Sequence, residues 1–97
     1  MSRNVFDDLG FSKAEAVALQ ARVILAVEIE RYIAKRGLTQ AKAAIVFGVP
    51  QPTISKIVRG NVTKLSLEYL LKMLARVGID VDIVPVMRGS RKRAMAA

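Results

Sequence analysis

The chain contains no cysteine and no histidine. Without cysteine there is neither a disulfide framework nor a thiolate metal site, and a reducing compartment suits it. Without histidine the commonest general base and the commonest metal ligand are missing, which argues against triads and zinc centres. No set of nucleophile, base and oxyanion donor can be assembled, so no catalytic residue is assigned and no enzyme, cofactor or metal is expected. Long apolar runs are missing as well. "AVALQARVILAVEI" (16–29) falls short of the ~20 residues of a membrane span, and Arg22 and Glu28 interrupt it. Acidic Asp7 and Asp8 precede that run and no small-residue cleavage site follows, unlike a secretory signal. The expected location is therefore the cytoplasm, with no membrane partner. Nor is there a repeat or a Pro/Gly-rich linker. The 97 residues read as a single domain, 1–87, with an N-terminal arm (1–12) and a basic, disordered tail (88–97). Domains of this size are marginal and often gain stability by association.

Acidic side chains are scarce: 8 Asp+Glu face 16 Lys+Arg, for a formal charge of +8. Through Gly37 the basic set (Arg3, Lys13, Arg22, Arg31, Lys35, Arg36) nearly balances Asp7, Asp8, Glu15, Glu28 and Glu30. From Leu38 onward only Glu68, Asp80 and Asp82 oppose a long series of Lys and Arg. A near-neutral first third and a basic remainder suggest two surfaces with different partners, the basic one suited to a polyanion.

What is present is helix punctuation. "SKAE" (12–15) has the form of a capping box, with Ser12 as N-cap and Glu15 reaching back. No Gly or Pro follows until Gly37, so the spacing predicts one long helix, Lys13 to Arg36, with Leu25, Ile29, Tyr32 and Ile33 as its core stripe. Thr39 can cap a short helix from Gln40 to Phe47 that stops at Gly48. Another is expected from Gln51 to Arg59, stopped by Gly60, with Pro52 tolerated in its first turn. Ser66 would cap a last helix, Leu67 to Val77, carrying Leu67, Leu70, Leu71 and Leu74. Helices of two to three turns are unstable alone, so tertiary contacts with the first helix must hold them. After Gly78 the period changes: "IDVDIVPV" (79–86) alternates Ile79, Val81 and Ile83 with Asp80 and Asp82, as a half-buried strand does. Nothing else in the chain reads as a strand, so its partner is expected from a second copy, making a homodimer.

Two short helices around Gly48-Val49-Pro50 match the helix-turn-helix pattern, in which the second helix presents its N-terminal residues to the DNA major groove. Leu38, Ala44, Phe47, Val49, Ile54 and Ile57 can face one core, and small Ala43 and Ala44 let helices cross closely. Gln40, Gln51, Thr53, Lys56, Arg59 and Asn61 would then face outward, with groups suited to phosphates and bases.

"RGLTQAKAAIVFGVPQPTISKIVRGN" (36–61) resembles the helix-turn-helix signature of the Xre/Cro group of DNA-binding proteins. With "NVFDDLGFSKAEA" (4–16) and "VGIDVDIV" (77–84) the chain is similar to antitoxins of HigA type, encoded beside a RelE/HigB-like toxin whose operon they repress. The resemblance implies an all-α, lambda-repressor-like domain whose C-terminal strand pairs across a dimer. It also implies a repressor of its own operon, double-stranded DNA with an inverted-repeat operator as ligand, and a toxin as protein partner. By position, Gln40 would touch phosphate, Gln51 and Lys56 would read bases, and Thr53 and Asn61 would contact phosphate. Ser55 and Arg59 complete the expected DNA face. The chain departs from the pattern twice. Pro50 stands where Ser or Thr usually caps the second helix, and Pro52, at a base-reading position, has no donor and can only pack on a thymine methyl.

Other readings stand beside these. Lys64, Lys72 and the tail's Arg88, Arg91, Lys92 and Arg93 read first as solvated charge, the tail also as a mobile attraction for phosphate. Asp80 and Asp82 share a strand face, but with no third ligand they read as edge residues rather than a metal site. Asp7 and Asp8 belong to a turn rather than a catalytic pair. The first helix carries Val17, Val23, Ile24 and Val27 outside its core stripe, and Ile45 and Val46 add to the apolar surface. Such a patch marks a partner site or a dimer contact, and the two can coexist. The alternatives to an antitoxin are a stand-alone or phage-type regulator without a toxin, and a helical protein-interaction module.

Overall fold

The structure, a computed structural model, describes residues 12–86. It contains α1 (Lys13–Lys35), α2 (Gln40–Phe47), α3 (Gln51–Val58) and α4 (Leu67–Arg76). Each helix starts where the sequence predicts. Ser12 and Glu15 form the full capping box: the Glu15 N–H donates to Ser12 Oγ (3.1 Å) and the Ser12 N–H to Glu15 Oε1 (2.9 Å). Thr39 Oγ1 accepts from the Lys42 N–H (3.1 Å), and Ser66 Oγ from the Tyr69 N–H (3.0 Å). The expected last residues Arg36, Arg59 and Val77 are the C-caps instead, so three helices end one residue early.

The stops share one geometry. Gly48 lies at φ 70, and the Val49 N–H beyond it donates to the Ala44 carbonyl at 3.0 Å. That is the six-to-one closure of a Schellman motif, which requires a left-handed residue that only glycine adopts without strain. Leu38, Asn61 and Ile79 make the same bond at the other three ends. Leu38, Val49 and Ile79 also pack against the core, so three of the four stops double as tertiary anchors.

α1 packs on α4 and α3, while α2 packs on α3 and α4. Ile29 from α1, Phe47 from α2, Ile54 and Ile57 from α3, and Leu70 and Leu74 from α4 meet in the fully buried centre. Each such side chain contributes about 1.5–3 kcal/mol by leaving water, which is how helices too short to stand alone are held. Ala43 and Ala44 are buried at the crossings, as their size suggests. Tyr32 is half-buried, with its ring edge-on to Phe47 (centroids 5.4 Å apart) and the Arg36 guanidinium 4.7 Å from its centroid. Leu19, Leu25, Ala26, Ile33, Val62 and Met73 complete a core that includes no buried polar side chain among the described residues.

The chain between 79 and 86 forms no β-strand, and no strand exists among the described residues. A ladder needs a neighbouring strand, and one copy of the chain supplies none. The alternation is nevertheless realised at its start: Ile79 and Val81 pack against the core while Asp80 and Asp82 face solvent. Ile83, Val84 and Val86 are 70%, 75% and 62% exposed. The arm with Asp7 and Asp8 up to residue 11, and the tail from residue 88, lie outside the described residues. No described helix is long and apolar enough to cross a membrane.

Candidate nucleic-acid interface

The Thr39 cap fixes the start of α2, so Gln40 opens its first turn. Gly48, Val49 and Pro50 then turn the chain, and Gln51 opens α3. Pro50 is extended (φ −64, ψ 147) and gives α3 no side-chain cap. The Thr53 N–H closes the first turn onto the Pro50 carbonyl at 3.0 Å, and Pro52 sits where a missing N–H breaks no helical bond.

α3 has two faces. Ile54 and Ile57 are fully buried, while positions 51, 52, 55, 56 and 59, at helical spacing, point the other way. Gln51, Pro52, Ser55, Lys56 and Arg59 join Gln40 of α2 to line one shallow depression of about 480 Å³. Arg59 Nη1 donates to Ser55 Oγ at 3.0 Å, which lays the guanidinium along the helix. Thr53, half-buried, and Asn61, exposed, are not part of this lining. Most of the expected DNA-facing residues are thus brought together; Thr53 lies among them in sequence and Asn61 just beyond Arg59.

The electrostatics are one-sided. No carboxylate occurs between Glu30 and Glu68, a stretch that holds both short helices and Lys42, Lys56, Arg59 and Lys64. This gap is a sharper signal for a polyanion site than the net charge of the chain, and it is legible in the sequence. Arg76 is the residue that periodicity does not single out. A methyl group at Gly48 would lie 2.7 Å from its Cζ and 2.8 Å from its Nε, so the guanidinium rests on the turn between α2 and α3. Its charge sits at the C-terminal end of α2, where helix carbonyls favour a cation.

Chemically, this surface offers two amides that can pair with base edges, cations for phosphates, and a hydroxyl. The apolar residues expected to meet a partner lie elsewhere, on α1. Val17 and Ile24 are 61% and 56% exposed, with Val23 and Val27 less so, and Ile45 of α2 is also exposed. Val46 is half-buried. Of the expected dimerisation residues, Ile79 and Val81 are half-buried on their own core and Ile83 is exposed.

Comparison with known proteins agrees with this geometry. A family model described as a helix-turn-helix domain matches residues 5–85. A protein of Haemophilus influenzae, described as an uncharacterised HTH-type transcriptional regulator, is 35% identical over 83 residues, covering 86% of this chain and 84% of the relative. No solved structure matches the chain. With its two short helices, glycine-closed turn and extended match, the chain belongs to the helix-turn-helix domain family.

Proposed function

We propose that this protein is a sequence-specific DNA-binding transcriptional repressor, dimeric, that serves as an antitoxin by repressing its operon and neutralising a RelE/HigB-like toxin. The observation that carries DNA reading is the convergence of Gln40, Gln51, Pro52, Ser55, Lys56 and Arg59 on one depression, within a stretch free of carboxylates. Family membership and the relative named as a transcriptional regulator support the same reading.

In this reading α3 enters the major groove. The Gln51 amide both donates and accepts, which suits the N6 and N7 edge of adenine, and Lys56, one turn on, approaches guanine. Gln40, Thr53, Arg59 and Asn61 hold phosphates and so fix the register, while Pro52 packs on a thymine methyl. The 79–86 segment pairs with that of a second copy and supplies the second recognition helix. The exposed apolar residues Val17, Val23, Ile24 and Val27 support a protein-binding face on α1, away from the DNA surface. A regulator without a toxin is the second reading, favoured by the wording of the relative's name.

Gel-shift titration on the gene's upstream region and on random DNA tests the first part. Selective binding that weakens with salt is expected, and equal weak binding to both would reject a sequence-specific repressor. Co-expression with the neighbouring gene tests the second. A stable complex lost on Ile24→Asp is expected, and no complex leaves the regulator without a toxin.

A further inference from the structure

A groove of about 590 Å³ lies between the C-terminal half of α1 and the segment leaving α4. Tyr32, Val77 and Ile79 make its floor apolar, and Arg31, Lys35 and Arg36 give it a basic rim. The acid at this groove, Glu28, already accepts from Arg31 at 2.9 Å. Neither Lys35 nor Arg36 has a carboxylate partner among the described residues, Arg36 lying instead against the Tyr32 ring. A few residues away, the 79–86 segment has the opposite character. It carries Asp80 and Asp82 with no basic residue, and ends in the exposed Ile83, Val84 and Val86.

We infer that this groove receives the 82–86 end of a second copy of this chain. The inference rests on the strand-paired dimer proposed above and locates the surface on which each strand lands. A chain cannot easily fill its own groove. A strand advances ~3.3 Å per residue, so Ile83 stands roughly 13 Å beyond Ile79, and no glycine or proline lies between them to turn the chain back. Antiparallel pairing about a two-fold axis removes that obstacle, because the end of one strand then lies beside the start of the other. The second copy's Ile83–Val86 end arrives at Ile79, apolar against apolar, and its Asp82 comes within reach of the Lys35 and Arg36 rim. The exposed end of one protomer and the open groove of the other become two halves of one contact.

The absence of cysteine makes the test clean, since introduced thiols are the only ones present. Full-length chains carrying Lys35→Cys or Arg36→Cys, each with a size tag, are mixed with untagged chains carrying Ile83→Cys, Val84→Cys or Val86→Cys. The mixtures are oxidised and read by non-reducing electrophoresis, with sedimentation of the same samples reporting the oligomer. A mixed disulfide from at least one pair, far above that from an Ile45→Cys control, is expected. A dimer in sedimentation with no mixed disulfide beyond the control leaves the strand-paired dimer standing and overturns the groove contact. Monomers at tens of micromolar remove the dimer and the contact with it. As a second readout, Lys35→Glu with Arg36→Glu should weaken dimerisation at least tenfold, and Asp80→Lys with Asp82→Lys in the other chain should restore it. Failure of that charge exchange to restore association would also overturn the contact.

Discussion

Gln40 and Gln51 are the same residue type at the same place in two helices, and they differ in what they should do. Gln51 opens the helix whose outer face carries the depression, whereas Gln40 borders it from α2. Gln51→Ala should cost about 1–3 kcal/mol at the operator and relax preference at one base position. Gln40→Ala should weaken operator and random DNA alike. Fluorescence titrations on both DNAs decide it, and a uniform loss from Gln51→Ala would remove its base-reading role. Gly48 and Arg76 form another residue-scale pair. Gly48→Ala forces a side chain into a left-handed backbone, at about 1–2 kcal/mol, and also displaces the Arg76 guanidinium. Gly37→Ala meets open space and pays the backbone strain alone. Denaturant unfolding of the double-mutant cycle should therefore show Gly48→Ala costing less in an Arg76→Ala background, near the Gly37→Ala value. Strict additivity would mean that the guanidinium contributes nothing to the turn.

Helices are the scale at which this sequence was most legible. Ser12 with Glu15, Thr39, Ser66 and the four glycines act through bonds spanning three to five residues, so their meaning does not depend on the rest of the fold. The capping box also predicts a pH response. Hydrogen bonds from the Ser12 backbone and side chain hold the Glu15 carboxyl below its ordinary value of 4.5. A lowered folded value means the contribution is complete above that ordinary value and is lost as pH falls through the lowered one. The melting-temperature gap between the parent and Glu15→Gln should thus be wider at pH 7 than at pH 3, by circular dichroism. An unchanged gap would show that Glu15 is not part of the cap. What was not legible depends on distant partners. Val62 is buried from a loop without periodicity, Met73 is buried beside the expected leucines, and Arg76 finds Gly48 only after α4 has packed near α2. The strand was read from a sound alternation, but its ladder requires a chain that a single copy lacks. The depression was legible from Gln40, Gln51, Lys56 and Arg59, while Thr53 and Asn61, read from the same spacing, fall outside its lining.

For the whole molecule, one recognition face spans only a few base pairs, too few to mark a site in a genome. A two-fold dimer doubles that reading and requires an inverted repeat with half-sites about 34–36 Å apart, or a small multiple. Inserting about five base pairs at the symmetry centre turns one half-site to the opposite side of the duplex, by half the ~10-base-pair repeat. Operator affinity should then fall to the level of a single half-site. Footprints of one asymmetric half-site, unmoved by the insertion, would separate DNA reading from dimerisation.

The stretch from Glu30 to Glu68 without a carboxylate, in a chain without histidine, also decides which ions accompany binding. The face meets phosphate with cations, amides and a hydroxyl, and its lining holds neither a carboxylate nor an imidazole. Binding should exchange sodium and no protons. Calorimetry in phosphate and in Tris, whose heats of ionisation differ widely, should therefore return the same enthalpy. The released counterions should appear instead as a slope of log affinity on log salt of about −0.9 per neutralised phosphate. In the proposed dimer the two Arg59 side chains would set a slope of roughly −1.8 from this face alone. A DNA-binding surface built this way responds to the ionic strength of its surroundings.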